Sequence, residues 1–225
     1  SVFKAKQDAG VFASGYMGNS ILLEILKDRY LSVFVDQMAH PSIKGSIPRD
    51  IVTVNYYNHC DTGHLENLLT QYSASNPLII TDGIFALTGE IAPLDKIFPL
   101  VKHFNGTLIV DDAHSTGILG KNGRGTPEHF NLTDNENIYQ TETMSKALGG
   151  YGGFIAGSLE LAELIREKST IYQASTALPP PIVAAGSASL RIIMENPDMR
   201  IKLLETAGEL RLRISGLGFH TTPDE

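Results

Sequence analysis

Short apolar runs, separated by stretches with helical spacing, constrain this chain more than any other feature. Residues 31–35 (LSVFV), 78–80 (LII), 108–110 (LIV) and 154–157 (FIAG) are short, mostly apolar and bounded by polar residues or glycine, so they read as buried strands. Between them apolar residues recur every three or four positions: Ile21, Leu22, Ile25 and Leu26; Leu65, Leu68, Leu69 and Tyr72; Ile97, Leu100, Val101 and Phe104. This alternation predicts an α/β fold and is consistent with a mostly parallel sheet covered by helices on both faces. Residues 51–54 and the run following Asn137 read as further strands, 159–168 and 200–212 as further helices, and residues 1–10 as a helix tail.

Composition narrows the function classes. With 225 residues, 42% of them hydrophobic and 19% charged, the chain is large enough for one sizeable α/β core. The net charge of −7 and the lack of a basic run argue against a nucleic-acid partner. No signal peptide is visible, and the longest apolar runs fall far short of the ~18 residues a membrane span needs. Cys60 is the single cysteine, which excludes an internal disulfide and fits a reducing cytoplasm.

Chemistry is expected where strand 108–110 ends, in LIVDDAHSTGILGKNGRG (residues 108–125). In open α/β sheets ligands gather beyond the carboxyl ends of the strands. Asp111 would leave the strand toward such a ligand, and His114 would meet it from the turn. The alternative is that Asp111 or Asp112 caps the turn and His114 is a loop residue. A second stretch, NIYQTETMSKALGGYGG (residues 137–153), holds Lys146 among hydroxyls and small residues, where a lowered pKa can make its amine a nucleophile. An acid after one strand and a lysine after a later one suit a pyridoxal phosphate enzyme: the lysine forms a Schiff base with the aldehyde, and the carboxylate keeps the ring nitrogen protonated. Residues 14–19 (SGYMGN) precede a helix start and could hold an anion, or Ser14 could simply cap that helix. His59, Cys60 and His64 suggest a metal, but no second Cys or His pair at ligand spacing follows. Asp61 as a helix cap accounts for that segment without one.

GYMGN (residues 15–19), DDAHSTGILGKNGRG (111–125) and TMSKALGG (143–150) together resemble the α-oxoamine synthase family of fold-type-I pyridoxal phosphate enzymes. The resemblance runs from about Gly15 to the end and keeps the motif order. It implies a Schiff base on Lys146, Asp111 against the ring nitrogen, His114 at the ring oxygen and His40 stacked on the ring. It further implies that Gly15, Tyr16, Met17 and Thr143 surround the phosphate, and that Thr176 reaches the phosphate of a neighbouring subunit in a homodimer. The implied substrates are an amino acid and an acyl-CoA, condensed with decarboxylation to an amino ketone. Aminotransferases and lyases share the core, and some heteromeric members include a non-catalytic partner subunit that lacks the lysine. Residues 1–225 are accordingly expected to be the central cofactor-binding domain of a longer protein. Ala86 departs from the family, which usually has a serine there near the phenolic oxygen.

Overall fold

The computed structural model describes residues 1–48, 53–72 and 75–221. Strands β1 (Asp8–Phe12), β2 (Val33–Asp36), β3 (Val54–Tyr57), β4 (Leu78–Asp82), β5 (Thr107–Asp111), β6 (Ile138–Thr143) and β7 (Gly153–Gly157) form one sheet in the order β1-β7-β6-β5-β4-β2-β3. The run from β6 through β3 is parallel. β7 runs antiparallel between β6 and β1.

Helices α1 (Met17–Ile25) and α6 (Leu159–Lys168) cover one face of the sheet. Helices α3 (Thr62–Gln71) and α4 (Leu94–His103) cover the other. Successive residues of β5 alternate between the two layers. Ile109 packs with Leu22, Val35 and Ile165, while Leu108 and Val110 pack with Phe34, Leu69 and Val101. A strand buried on both sides must be apolar at every interior position, which is why LIV is unbroken. Each such side chain contributes roughly 1.5–3 kcal/mol by leaving water.

Local signals explain most helix ends. The Asp61 carboxylate caps α3 by accepting from His64 N at 2.8 Å, and Ser158 caps α6 through Leu161 N at 3.1 Å. Helix α8 (Pro180–Glu195) starts on prolines, which lack the N–H a first turn leaves unused. Helix α9 (Pro197–Gly216) extends past the expected 200–212 at both ends. Gly186 is the buried residue of α8, and α9 has none among the described residues. The short helices α2 (Pro41–Ser46), α5 (Thr126–His129) and α7 (Thr170–Ala174) complete the order. Of the strand expected at 51–54, Ile51 and Val52 lie outside the described residues, and Val54 opens β3.

The helix tail expected in residues 1–10 is not there. A single 3-10 turn, Val2–Lys4, leads directly into β1. The reason is a non-local partner. Lys4 is buried, its Nζ pairs with Glu142 Oε1 of β6 at 2.7 Å and donates to the Arg124 carbonyl. With the turn held there, the next residues extend along β7.

Candidate active site

The carboxyl ends of β4 and β5 set Asp82 and Asp111 side by side, and β6 ends at Thr143, two residues beyond Thr141, the partner of Asp111. Asp111 is only 7% exposed. Its Oδ2 accepts from Asn19 Nδ2 of α1 at 2.7 Å, and its Oδ1 accepts from Ala113 N at 3.1 Å. Burial pushes its pKa up, while those two donors and the charges of Lys146 and His40 oppose the rise. Asp112, next in sequence, does the structural work. Its fully buried carboxylate accepts from Ser115 Oγ, Gln140 Nε2 and Thr126 N, the last at 3.1 Å, and so closes the loop through residues 115–126. Gly125 permits the closure: its φ is 99°, and a Cβ there would lie 2.1 Å from Asp112 Oδ2. Both acids therefore cap: Asp112 closes the loop through residues 115–126, and Asp111 accepts from Ala113 N in the turn after β5 while its other oxygen takes the Asn19 amide.

Lys146 lies beyond β6, with Nζ 2.7 Å from His114 Nε2. Desolvation lowers the Lys146 pKa against the pull of Asp111 and Asp82. Desolvation, then the charges of Lys146 and His40, lowers that of His114. The imidazole is thus neutral at neutral pH, and Nε2 accepts from the amine if the ring proton sits on Nδ1. The charge of Lys146 acts on Asp82, Asp111 and His114, and that of His40 on Asp111 and His114, so the five groups gather beyond the ends of β4 and β5.

His40 caps α2: its Nδ1 accepts from Ser42 N at 3.1 Å and lies 2.8 Å from Ser42 Oγ. Ser42 Oγ also accepts a long bond from Asn19 Nδ2 at 3.4 Å, and the His40 N–H donates to Asp82 Oδ2 at 2.8 Å. A single line of hydrogen bonds therefore runs from the His40 ring to Asp111. Sequence reasoning missed the parts played by Asn19 and Asp82. Asn19 was detectable as a polar residue on the apolar side of α1, and Asp82 as a second acid closing a buried strand.

On the other side of the cleft, Gly15 lies so close to Thr143 that a Cβ would stand 2.7 Å from the Thr143 Cβ. Thr143 Oγ1 is 2.7 Å from Ser145 Oγ. The Tyr16 N–H donates to Ser14 Oγ at 3.3 Å and the Met17 N–H to the Ser14 carbonyl at 2.9 Å, so both amides are engaged within the turn that starts α1. Thr176 is exposed between α7 and α8, and no hydrogen bond among the described residues joins it to this group. Ala86 is exposed in the turn after β4 and offers only a methyl group.

His59 and Cys60 do converge with a third group, Asp36 of β2, their ligand atoms lying within 4.8 Å of one another. His59 is already engaged on both sides, with Nδ1 3.0 Å from Asp36 Oδ1 and Nε2 2.9 Å from Glu90 Oε2. Burial would lower its pKa, but the two carboxylates outweigh burial and raise it. A bridging imidazolium accounts for the cluster. A groove of about 930 Å³ opens at the opposite end of the sheet, lined by Lys6, Arg29, Thr107, Asn137 and Tyr139, and its lining includes none of residues 15–19, 111–125 or 143–150.

A family model described as aminotransferase class I and II matches residues 2–225. The chain belongs to this family. Within it, the 8-amino-7-oxononanoate synthase of Geobacter sulfurreducens is 37% identical over 226 residues, covering 99% of this chain and 58% of the relative. A protein of Acetivibrio thermocellus, provisionally given the same name, is 40% identical over 218 residues, covering 97% and 56%. Among solved structures, serine palmitoyltransferase from S. paucimobilis with a bound PLP–myriocin aldimine matches at TM-score 0.89 and 28% identity, over 97% of this chain and 55% of that one. The 8-amino-7-oxononanoate synthase of Francisella tularensis matches at TM-score 0.84 and 29% identity, over 100% and 65%. The chain spans a little over half the length of the curated relatives it matches. Family, fold and relatives agree with the α-oxoamine synthase resemblance carried by residues 15–19, 111–125 and 143–150.

Proposed function

We propose that this chain is the cofactor-binding domain of a pyridoxal phosphate-dependent α-oxoamine synthase. The reaction joins an amino acid to an acyl-CoA thioester and releases CoA and the amino acid's carboxylate as CO2, leaving an α-amino ketone. The names of the relatives support the reaction class. The observation that carries the proposal is the contact of Lys146 Nζ with a neutral His114, both set against the buried Asp111.

The residues present fit this cofactor. A buried acid held by two N–H donors suits a ring nitrogen that must stay protonated, and the close-packed Gly15–Thr143 wall at the start of α1 suits a phosphate. Lys146 would hold the aldehyde, His114 the phenolic oxygen, and the capped ring of His40 one face of the pyridine. Gly15, the Tyr16 and Met17 amides and Thr143 would surround the phosphate, and Thr176 would serve that of a second copy in a C2 homodimer. When bound, pyridoxal phosphate supplies a ring that withdraws electrons from the substrate α-carbon. Lys146 Nζ, made less basic by desolvation, takes up and returns the α-proton, and the neutral His114 beside it accepts a hydrogen bond from that nitrogen at Nε2. The Asn19 amide, donating to Asp111 Oδ2, favours the charged form of Asp111 against the effect of burial. With one cysteine and no described helix long and apolar enough to cross a membrane, a cytoplasmic location is the consistent reading.

The test is to treat the full-length protein with borohydride and map the fixed cofactor, and to assay acyl-CoA thioesters with alanine, glycine and serine by mass spectrometry. The expected results are a label on Lys146, its loss in Lys146→Ala, and an amino ketone from at least one pair. A label that survives Lys146→Ala, or turnover with an amino acid and a 2-oxo acid in place of the thioester, would refute the proposal.

A further inference from the structure

Two acids stand together at the ends of β4 and β5, and the mechanism above uses only one. Asp82 and Asp111 are Cα partners at the ends of the paired parallel strands β4 and β5. Residues paired in this way project to the same face of a sheet. Both are buried, 3% and 7% exposed. Two carboxylates in one poorly hydrated place do not both ionise at ordinary cost, and such a pair titrates as a unit in two steps.

Their donors break the symmetry. Asp111 receives two N–H groups, from Asn19 and Ala113. Asp82 receives the main-chain N–H of His40. The other groups acting on Asp82 are Asp36 of β2, which repels a second charge, and Lys146, which favours one; Tyr57 of β3 stays neutral, its pKa raised by burial. Burial first and Asp111 second push the Asp82 carboxyl up to about 7. Donor count and surroundings agree on which acid keeps the proton.

We propose that Asp82 is a positioning residue that carries the single proton of this carboxyl pair, leaving Asp111 ionised while its own carboxyl anchors the main chain of His40. The consequence for the ring nitrogen rests on the proposed function; the shared proton does not. A neutral Asp82 also withholds a second negative charge from Lys146, so the amine gives up its proton more readily. When Asp82 ionises, that restraint is lost and the ammonium form is favoured.

The decisive experiment is carboxyl-carbon NMR of aspartate-labelled full-length protein, with and without added pyridoxal phosphate. The wild-type protein without added cofactor is expected to show one aspartate titrating at least about two units above the free value of 3.8. That signal should vanish in Asp82→Asn and move to lower pH in Asp111→Asn. In parallel, the dissociation constant of pyridoxal phosphate should vary less steeply with pH across neutrality in Asp82→Asn than in the wild type, because Lys146, and Glu142 of β6 beside Asp111, still titrate in both while the carboxamide still accepts the His40 N–H. Asp82→Ala should bind more weakly at every pH, because it loses the anchor. A near-neutral aspartate that persists in Asp82→Asn or ignores Asp111→Asn overturns the proposal, as does a wild-type protein in which every aspartate titrates normally. The wild-type titration decides even if a variant fails to fold. Failure to bind pyridoxal phosphate with the NMR pattern intact would overturn the cofactor reading and leave the shared proton standing.

Discussion

Replacing Asn19 by alanine removes the side chain that holds Asp111 in its charged form, and its effect can be worked out from the structure. Asn19 is fully buried, its Nδ2 donates to Asp111 Oδ2 at 2.7 Å, and its Oδ1 accepts from Thr141 Oγ1 at 3.3 Å. A hydrogen bond to a charged group contributes about 1.5–3 kcal/mol. At about 1.4 kcal/mol per pKa unit, losing it raises the Asp111 pKa by about one to two units beyond the rise burial already causes. Asp111 is then protonated in a larger share of unloaded molecules, and the cofactor must first displace that proton. Where Asp111 has become fully protonated, the deficit in pyridoxal phosphate affinity reaches about ten- to 150-fold. It shrinks as pH is raised, because hydroxide then removes the proton instead. The assay is a spectroscopic titration of cofactor-free protein from about pH 6 to about pH 8.5, with urea unfolding to separate binding from stability. Affinity within about threefold of wild type at a pH below the wild-type Asp111 titration, read by carboxyl-carbon NMR, or a deficit that does not change with pH through that titration, would refute the reasoning.

Two further perturbations test neighbouring parts of the structure. Gly15→Ala places a methyl 2.7 Å from the Thr143 Cβ; the turn and Thr143 must separate, at a cost of about 1–3 kcal/mol, and phosphate-dependent affinity for the cofactor should fall while pyridoxal without phosphate is less affected. Glu142 is pushed by burial up to about 7, against the pull of Lys4, from a free value of 4.5. The folded state therefore keeps a proton that the unfolded chain has lost, and stability declines as pH rises from about 4.5 to about 7. Glu142→Gln should make that decline shallower by about 1.4 kcal/mol per pH unit, as read by urea unfolding at several pH values.

Local signals were legible and long-range ones were not. The strand 108–110 with its acid, the Asp61 cap and helix α6 at 159–168 all follow from spacing and capping chemistry within a few residues, and all stand in the structure. Residues 1–10 read as a helix tail because nothing local reveals that Lys4 is the partner of Glu142 in β6. The same holds for α2, six residues long, whose cap is an imidazole and not one of the usual oxygen side chains. In the site, Lys146 and Asp111 are conspicuous because each belongs to a specific motif, residues 143–150 and 111–125. Asp82 looks like any polar residue after a strand until the β4–β5 register sets it beside Asp111. Asn19 is visible within its motif, but its task depends on α1 lying against the end of β5.

The pairing of β1 with β7 joins Asp8 to Gly157, and it bears on the order in which the molecule can assemble. Closing a loop of that length is slow relative to local steps, and contacts so distant along the chain delay folding. During synthesis β1 stays unpaired until residue 157 has left the ribosome, with its backbone N–H and C=O groups available to other strands in the meantime. The first strand must wait for the last, so aggregation on the ribosome, not loss of the finished fold, is where a weakened β1 would first show its effect.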